Sequence, residues 1–233
     1  MCFTGVVLNP KKKSLQVDEI VKETYVNPHG FFLYSRDPPT IMRTIDLHAY
    51  LFTFTKVAME RPRYLHFHMR LASTGALTLD NVHGWKVCGF YITHNGIVST
   101  FSDLTGQQYY SDTYTLITQP AFQEYLRKRD WPSLYRFMAE KGFWGVMFLV
   151  SEGFKEVYAI SRGKAVYFKK LHGVAYVTSK RVFKKSKRAR DGVFKVTYES
   201  LKPLYTETPM PIEQDNLGGL DVWLPPLVRR CFS

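Results

Sequence analysis

Cys2 follows Met1 directly, and that position gives its thiol unusual chemical options. A small residue at the second position permits removal of Met1, which leaves a thiol and a free α-amine on one residue. The ordinary pKa of such an amine, near 7.7–8.0, keeps a useful fraction neutral at about pH 7. The amine can then take the thiol proton, directly or through water, and later protonate a leaving amine. Nucleophile and base would both reside on Cys2, and the apolar run Phe3 to Leu8 reads as a buried strand holding them beside the core. By itself a cysteine here is a weak signal. Three downstream segments change its meaning.

The first, His66-Phe67-His68-Met69-Arg70-Leu71-Ala72-Ser73-Thr74-Gly75, alternates apolar and polar residues and ends in an arginine and a small-residue turn. Arg70 at a strand end can grip a carboxylate through two parallel hydrogen bonds, or make an ordinary surface ion pair. In the second, Thr93-His94-Asn95-Gly96-Ile97, the Asn95 side-chain amide and the Gly96 N–H can point at one spot, and glycine lets the backbone approach closely. Two such donors make an oxyanion hole, each often worth about 3–4 kcal/mol in a transition state. The plain alternative for Asn95-Gly96 is a tight turn. In the third, Ser111-Asp112-Thr113, Asp112 can pair with an ammonium group or cap a helix.

Together these segments resemble the class II glutamine amidotransferase domain of the N-terminal nucleophile hydrolases. Cys2 corresponds to the family's N-terminal cysteine. His68 through Gly75 is similar to its His-x-Arg-x-Ala-Thr-x-Gly motif, with Ser73 where threonine is usual. Asn81-Val82-His83 resembles its Asn-x-His segment, and His94-Asn95-Gly96 matches its His-Asn-Gly motif unchanged. Ser111-Asp112-Thr113 matches Ser-Asp-Thr-Glu except that Tyr114 replaces the glutamate, while Tyr158 to Gly163 and Tyr176 to Ser179 look like late strands of the family. Asn27-Pro28-His29-Gly30 resembles a turn of its small stand-alone members. The matches run in family order from 2 to about 200. Phe3, where glycine is usual, Leu71 and Tyr114 depart from the pattern and are expected to narrow or reshape the pocket.

The resemblance implies an α+β fold, a four-layer αββα sandwich, without a cofactor or metal. It implies Cys2, Asn95 and Gly96 as catalytic residues. Arg70 would hold the α-carboxylate of glutamine and Asp112 its α-ammonium, with Ser73, Thr74 and His94 completing the substrate-binding set. Too little chain follows the matched region to house a synthase, so a separate acceptor enzyme would receive the ammonia. Two rivals stand beside this: an N-terminal-cysteine hydrolase of another amide, such as a γ-glutamyl compound, and an inactive hydrolase fold that binds protein or nucleic acid.

The elements that must position these residues follow from pattern. Strands are expected at 2–8, 31–34, 64–69, 89–93, 144–150, 156–161, 165–169, 174–178 and 193–198, and helices at 41–60, 121–129 and 132–140. Pro203, Pro209, Pro211, Pro225 and Pro226 mark a tail, giving a domain over 1–202 and a Pro-rich segment over 203–233. The 17 Phe and 15 Tyr supply a substantial core and argue against disorder. No run approaches the roughly 18 apolar residues of a membrane span, and the start of the chain lacks signal-peptide features. Cys2, Cys88 and Cys231 are too few for a disulfide framework, which fits a reducing cytoplasm, and Cys88 is expected to be a buried structural thiol. His66 and His68 share a strand face with His83 and His94 in reach, but no carboxylate or cysteine completes a metal set. Net charge is +12, concentrated in Lys180, Arg181, Lys184, Lys185, Lys187, Arg188 and Arg190. That stretch reads as a solvated basic loop or as a contact for nucleic acid or an acidic partner.

Overall fold

Alternation along β1 (Phe3–Leu8) assigns its two faces, with Phe3 and Val7 packing to one side and Val6 and Leu8 to the other. The computed structural model describes residues 2–102 and 109–207. The described strands are β1, β2 (Phe31–Arg36), β3 (Thr40–Thr44), β4 (Tyr64–Met69), β5 (Trp85–Val87), β6 (Phe90–Val98), β7 (Phe143–Ser151), β8 (Val157–Leu171), β9 (Val174–Thr178), β10 (Lys187–Val196) and β11 (Leu201–Thr206). They form one antiparallel sheet in the order β3-β2-β4-β1-β9-β8-β7-β6-β5, with β10 and β11 branching from β8. The sheet curls until β1 and β4 face β6. Thr4 Oγ1 lies 2.7 Å from Thr93 Oγ1, and His66 Nε2 lies 2.8 Å from the same hydroxyl.

The helices sort by face. α1 (Asp18–Val26) and α2 (Leu47–Met59) bury Ile20, Tyr50, Phe54 and Val57 against Phe3, Phe31, Leu33 and Phe67. α3 (Asp112–Ile117), α4 (Pro120–Lys128) and α5 (Trp131–Glu140) bury Leu116, Phe122 and Leu134 against Ile92, Met147 and Ile160. Between the facing parts of the sheet, Val6, Val146, Phe148, Ala159, Val166 and Val177 close on one another. Each of these larger side chains contributes about 1.5–3 kcal/mol by leaving water.

Several sequence expectations need correction. The single helix over 41–60 is β3 followed by α2, because Asp46 caps the helix there, accepting from His48 N and Ala49 N at 2.8 and 3.0 Å. The strands expected at 156–161 and 165–169 are one strand, β8, which passes a bulge around Arg162 and Gly163 without ending. Asn95-Gly96 lies inside β6 rather than in a turn. The basic stretch is half loop, half strand, since Lys187 to Arg190 pair with β8. Pro203, expected to break regular structure, sits in β11, which among the described residues pairs with β10 alone and so has an edge that needs no proline N–H. Cys88 is half-buried, with its Sγ 3.7 Å from Gln123 O. Cys231 and the remaining tail prolines lie outside the described residues.

Candidate active site

Cys2 continues the inward alternation that places Thr4 beneath β6. Its Sγ accepts from Leu71 N at 3.4 Å and donates to Leu71 O at 3.5 Å, so the backbone just past Arg70 holds the sulfur. Burial pushes the thiol pKa up, and the Leu71 hydrogen bond followed by the positive charges of Arg70 and Lys164 opposes that rise. Two residues on, Thr4 N donates to Ser179 Oγ at 3.1 Å, and Asn95 Nδ2 donates to the same oxygen at 2.9 Å. Ser179 N returns a bond to Thr4 O at 3.0 Å. One serine hydroxyl therefore ties the start of the chain to Asn95. The Asn95 side-chain carbonyl oxygen is buried, with no hydrogen-bond partner among the described residues.

His94 projects from the opposite face of β6, toward α3. Its Nδ1 lies 2.9 Å from Thr113 Oγ1, and its ring packs on Phe143 at 4.8 Å. Gly96 pairs with Gly145 across β6 and β7, and the His94 ring lies over both: a Cβ on either glycine would come within about 2.6 Å of His94 Nε2. The histidine ring occupies the space that two missing side chains leave, and so fixes the backbone that carries the Gly96 N–H. Burial holds the His94 pKa down to about 4, against the pull of Asp112. His83 accepts from His94 N at 3.1 Å and stacks on His68 at 4.0 Å, while His68 Nε2 bonds His94 O.

Arg70 is almost fully buried just past β4. Its guanidinium donates to Thr74 O at 2.7 Å, Ala76 O at 3.2 Å and Gly75 O at 3.3 Å, which folds the small-residue turn around it. Asp112 opens α3, and Ser111 caps that helix by accepting from Tyr114 N. The Asp112 carboxylate accepts from Val98 N, Thr113 N and Thr74 Oγ1 at 2.6, 2.7 and 3.2 Å. Thr74 thus joins the Arg70 turn to Asp112, while Ser73 is exposed. Asn81 pins the same turn, donating to Ala76 O and accepting from Ser111 N.

The three departures from the family pattern have visible places. Phe3 faces α1 and α2, with its ring 5.3 Å from Phe67, and so points away from Cys2. Leu71 offers its backbone to the sulfur. Tyr114 stacks on Tyr110 at 4.7 Å. Sequence reasoning missed Ser179 and Lys164 as site residues. Both line a cavity of about 240 Å³ with Asn95, Tyr167, Lys180 and Arg181. Burial lowers the Lys164 pKa to about 8, although the Cys2 sulfur works against that shift. Its position after Gly163 in a bulged strand gave no local signal. Among the described residues no group of His, Cys, Asp and Glu is arranged to hold a metal ion, and no helix is long and apolar enough to cross a membrane.

No protein-family model matches the sequence, and no curated protein does. Solved structures do. A glutamine aminotransferase class-II domain protein from Silicibacter pomeroyi matches with a TM-score of 0.56 at 15% identity, over 89% of this chain and 100% of that one. The glutamine phosphoribosylpyrophosphate amidotransferase of B. subtilis, complexed with ADP and GMP, matches at 0.55 and 13%, over 87% of this chain and 48% of that one. A third, described as the allosteric regulatory enzyme of purine biosynthesis, gives 0.53 and 13%, over 86% and 48%. This chain spans about half the length of the latter two. At these identities the likeness is one of fold.

Proposed function

We propose that this chain is a class II glutamine amidotransferase-type amidohydrolase with a four-layer αββα arrangement and Cys2 as nucleophile once Met1 is removed. The observation that supports it most is the meeting of Thr4 N and Asn95 Nδ2 on Ser179 Oγ, which joins the strand that follows Cys2 to Asn95. The freed α-amine takes the Cys2 proton, and the thiolate attacks the side-chain carbonyl of glutamine. Asn95 Nδ2 and the Gly96 N–H stabilise the developing oxyanion. The ammonium gives its proton to the departing ammonia, and water resolves the thioester to glutamate. Arg70 and Asp112 hold the amino-acid end, Ser73 and Thr74 shape the turn beside it, and His94 acts as a positioning residue beneath Gly96. A separate enzyme receives the ammonia.

A second reading, hydrolysis of another amide, draws support from the internal bonds of Arg70 and Asp112, since both groups already have backbone partners. Cys2→Ala is expected to abolish glutamate release, and mass spectrometry is expected to find a Cys2 adduct with a glutamine-analogue electrophile. A Cys2→Ala protein as active as wild type sinks both readings. Arg70→Ala separates them: a large rise in KM confined to glutamine favours the first, and no change favours the second.

A further inference from the structure

A second cavity, also of about 240 Å³, opens at the far end of β1 from Cys2. Leu8, the last residue of β1, lines it, and at about 3.3 Å per strand residue it lies about 20 Å from Cys2 along the strand. The base is apolar: Leu8, Val157 and Val196 are buried members of the core between the facing parts of the sheet. The sides carry the rings of Tyr64, Phe154 and Tyr198. Phe154 belongs to the turn Glu152–Phe154 between β7 and β8, with φ +72° at Gly153 and +56° at Phe154, a left-handed conformation that a bulky side chain rarely takes. The turn is pinned from β2: Gly153 N donates to Tyr34 Oη at 2.7 Å, and Arg36 donates to Gly153 O at 2.5 Å. The Phe154 ring stacks on Tyr34 at 4.7 Å and on Tyr64 at 5.2 Å, with interplanar angles of 18° and 21°. The aromatic wall is therefore built before any ligand arrives.

The polar part of the lining is of one kind. Lys155 and Lys195 are exposed at the mouth, and no carboxylate is among the described lining residues. Thr197 and Tyr198 donate their hydroxyl hydrogens to Ser200 O and Gly173 O. Lys195 also acts on Glu156, which lies outside the lining and is bonded to Arg129 at 2.7 Å and to Tyr158 Oη at 2.6 Å. The lining thus presents charged donors and no charged acceptor, and the complementary group is an anion. The volume lies below the roughly 300–1,000 Å³ of drug-sized sites, which suits one ring with a short substituent. A ring packed on aromatic walls gains more than its buried area alone supplies. We infer that this cavity binds a one-ring aromatic carboxylate, its ring against Tyr64 and Phe154 and its carboxylate toward Lys155 and Lys195. The site assumes nothing about the chemistry of Cys2.

The test is an NMR titration of the isotope-labelled full chain at low salt with hydrocinnamate, its neutral amide and hexanoate. Saturable binding of hydrocinnamate is expected, with backbone amide shifts centred on Leu8, Phe154 and Val196 and not on Asn95 or Ser179. Lys155→Met and Lys195→Met are each expected to weaken it about threefold, and Phe154→Leu about fivefold, while Cys2→Ala retains it. The neutral amide and hexanoate are expected to bind more weakly than hydrocinnamate by similar factors. Both lysines are exposed, so their variants keep the test decisive if Phe154→Leu fails to fold. No saturable binding, shifts centred on Asn95 and Ser179, or unchanged affinity in both folded lysine variants overturns the site. Hexanoate that binds as tightly as hydrocinnamate overturns the aromatic assignment, and an equally tight neutral amide overturns the anionic one.

Discussion

Ser179 does more than its residue type suggests. Its hydroxyl takes bonds from Thr4 N and Asn95 Nδ2, two donors that belong to strands far apart in the sheet order. Removing the hydroxyl leaves buried donors unpaired, which costs about 1–3 kcal/mol, and frees the Asn95 amide to turn. Ser179→Ala is therefore expected to lose stability and, with it, the proposed glutamate-releasing activity. Asn95→Ala is expected to lower kcat by about 10²–10³-fold and to lower the urea midpoint as well, since it breaks the buried bond to Ser179 Oγ. Paired urea titrations and glutamate-release assays on the two variants check this. Full glutamate release by Asn95→Ala would overturn the proposed role of Asn95 as an oxyanion donor.

At the scale of elements, the sequence was legible where one period dominated. The inward set of β4, His66 and His68, alternates with Leu65, Phe67 and Met69, and the strand was found with its bounds intact. Helices α4 and α5 were announced by Pro120 and Pro132 in the first turn. It was illegible where tertiary pairing overrode local pattern. α1 has Val17 at its N-cap, which supplies no side-chain cap, and is held by Ile20 packing, a contact no local window reveals. β10 begins in a run of cations that looks like loop until β8 supplies a partner. The motif residues were legible in type, but not the joining of Asn95 to Thr4, which depends on how the whole sheet curls. The glycine pair under His94 gives a prediction at this scale. Gly145 has φ +143°, and a Cβ there meets Asn95 O and, at 2.6 Å, His94 Nε2, whereas Gly89 at φ +80° has nothing within 4 Å. Both alanine variants incur backbone strain, and only Gly145→Ala adds overpacking of about 1–3 kcal/mol. Thermal melts are expected to show a clearly larger loss for Gly145→Ala. Equal losses would mean that the histidine ring yields readily and does not fix the Gly96 backbone.

For the whole molecule, the curled sheet encloses more histidine than a neutral interior holds at low pH. Burial lowers the pKa of His66 to about 3 and that of His94 to about 4, and it lowers His68 and His83 well below the usual 6.5. All four stay neutral in the folded state, while in the unfolded chain each takes up a proton near pH 6.5. Between those limits the unfolded state binds more protons, so stability rises with pH and falls as pH drops through about 6.5 toward 4. The limiting slope is about 1.4 kcal/mol per pH unit for each histidine. Set against a typical total of about 5–15 kcal/mol, the burial of four such rings makes the domain's stability strongly acid-sensitive. Urea midpoints followed by circular dichroism from pH 7.5 to 4.5 are expected to fall steeply below pH 6.5. His66→Gln, which retains a polar group opposite Thr93, is expected to flatten the slope by up to one proton's worth. A midpoint that holds level from pH 7 to pH 5 would mean that the four rings find proton acceptors inside the fold, and that the two faces of the sheet are not closed on them as tightly as the Thr4–Thr93 and His66–Thr93 bonds require.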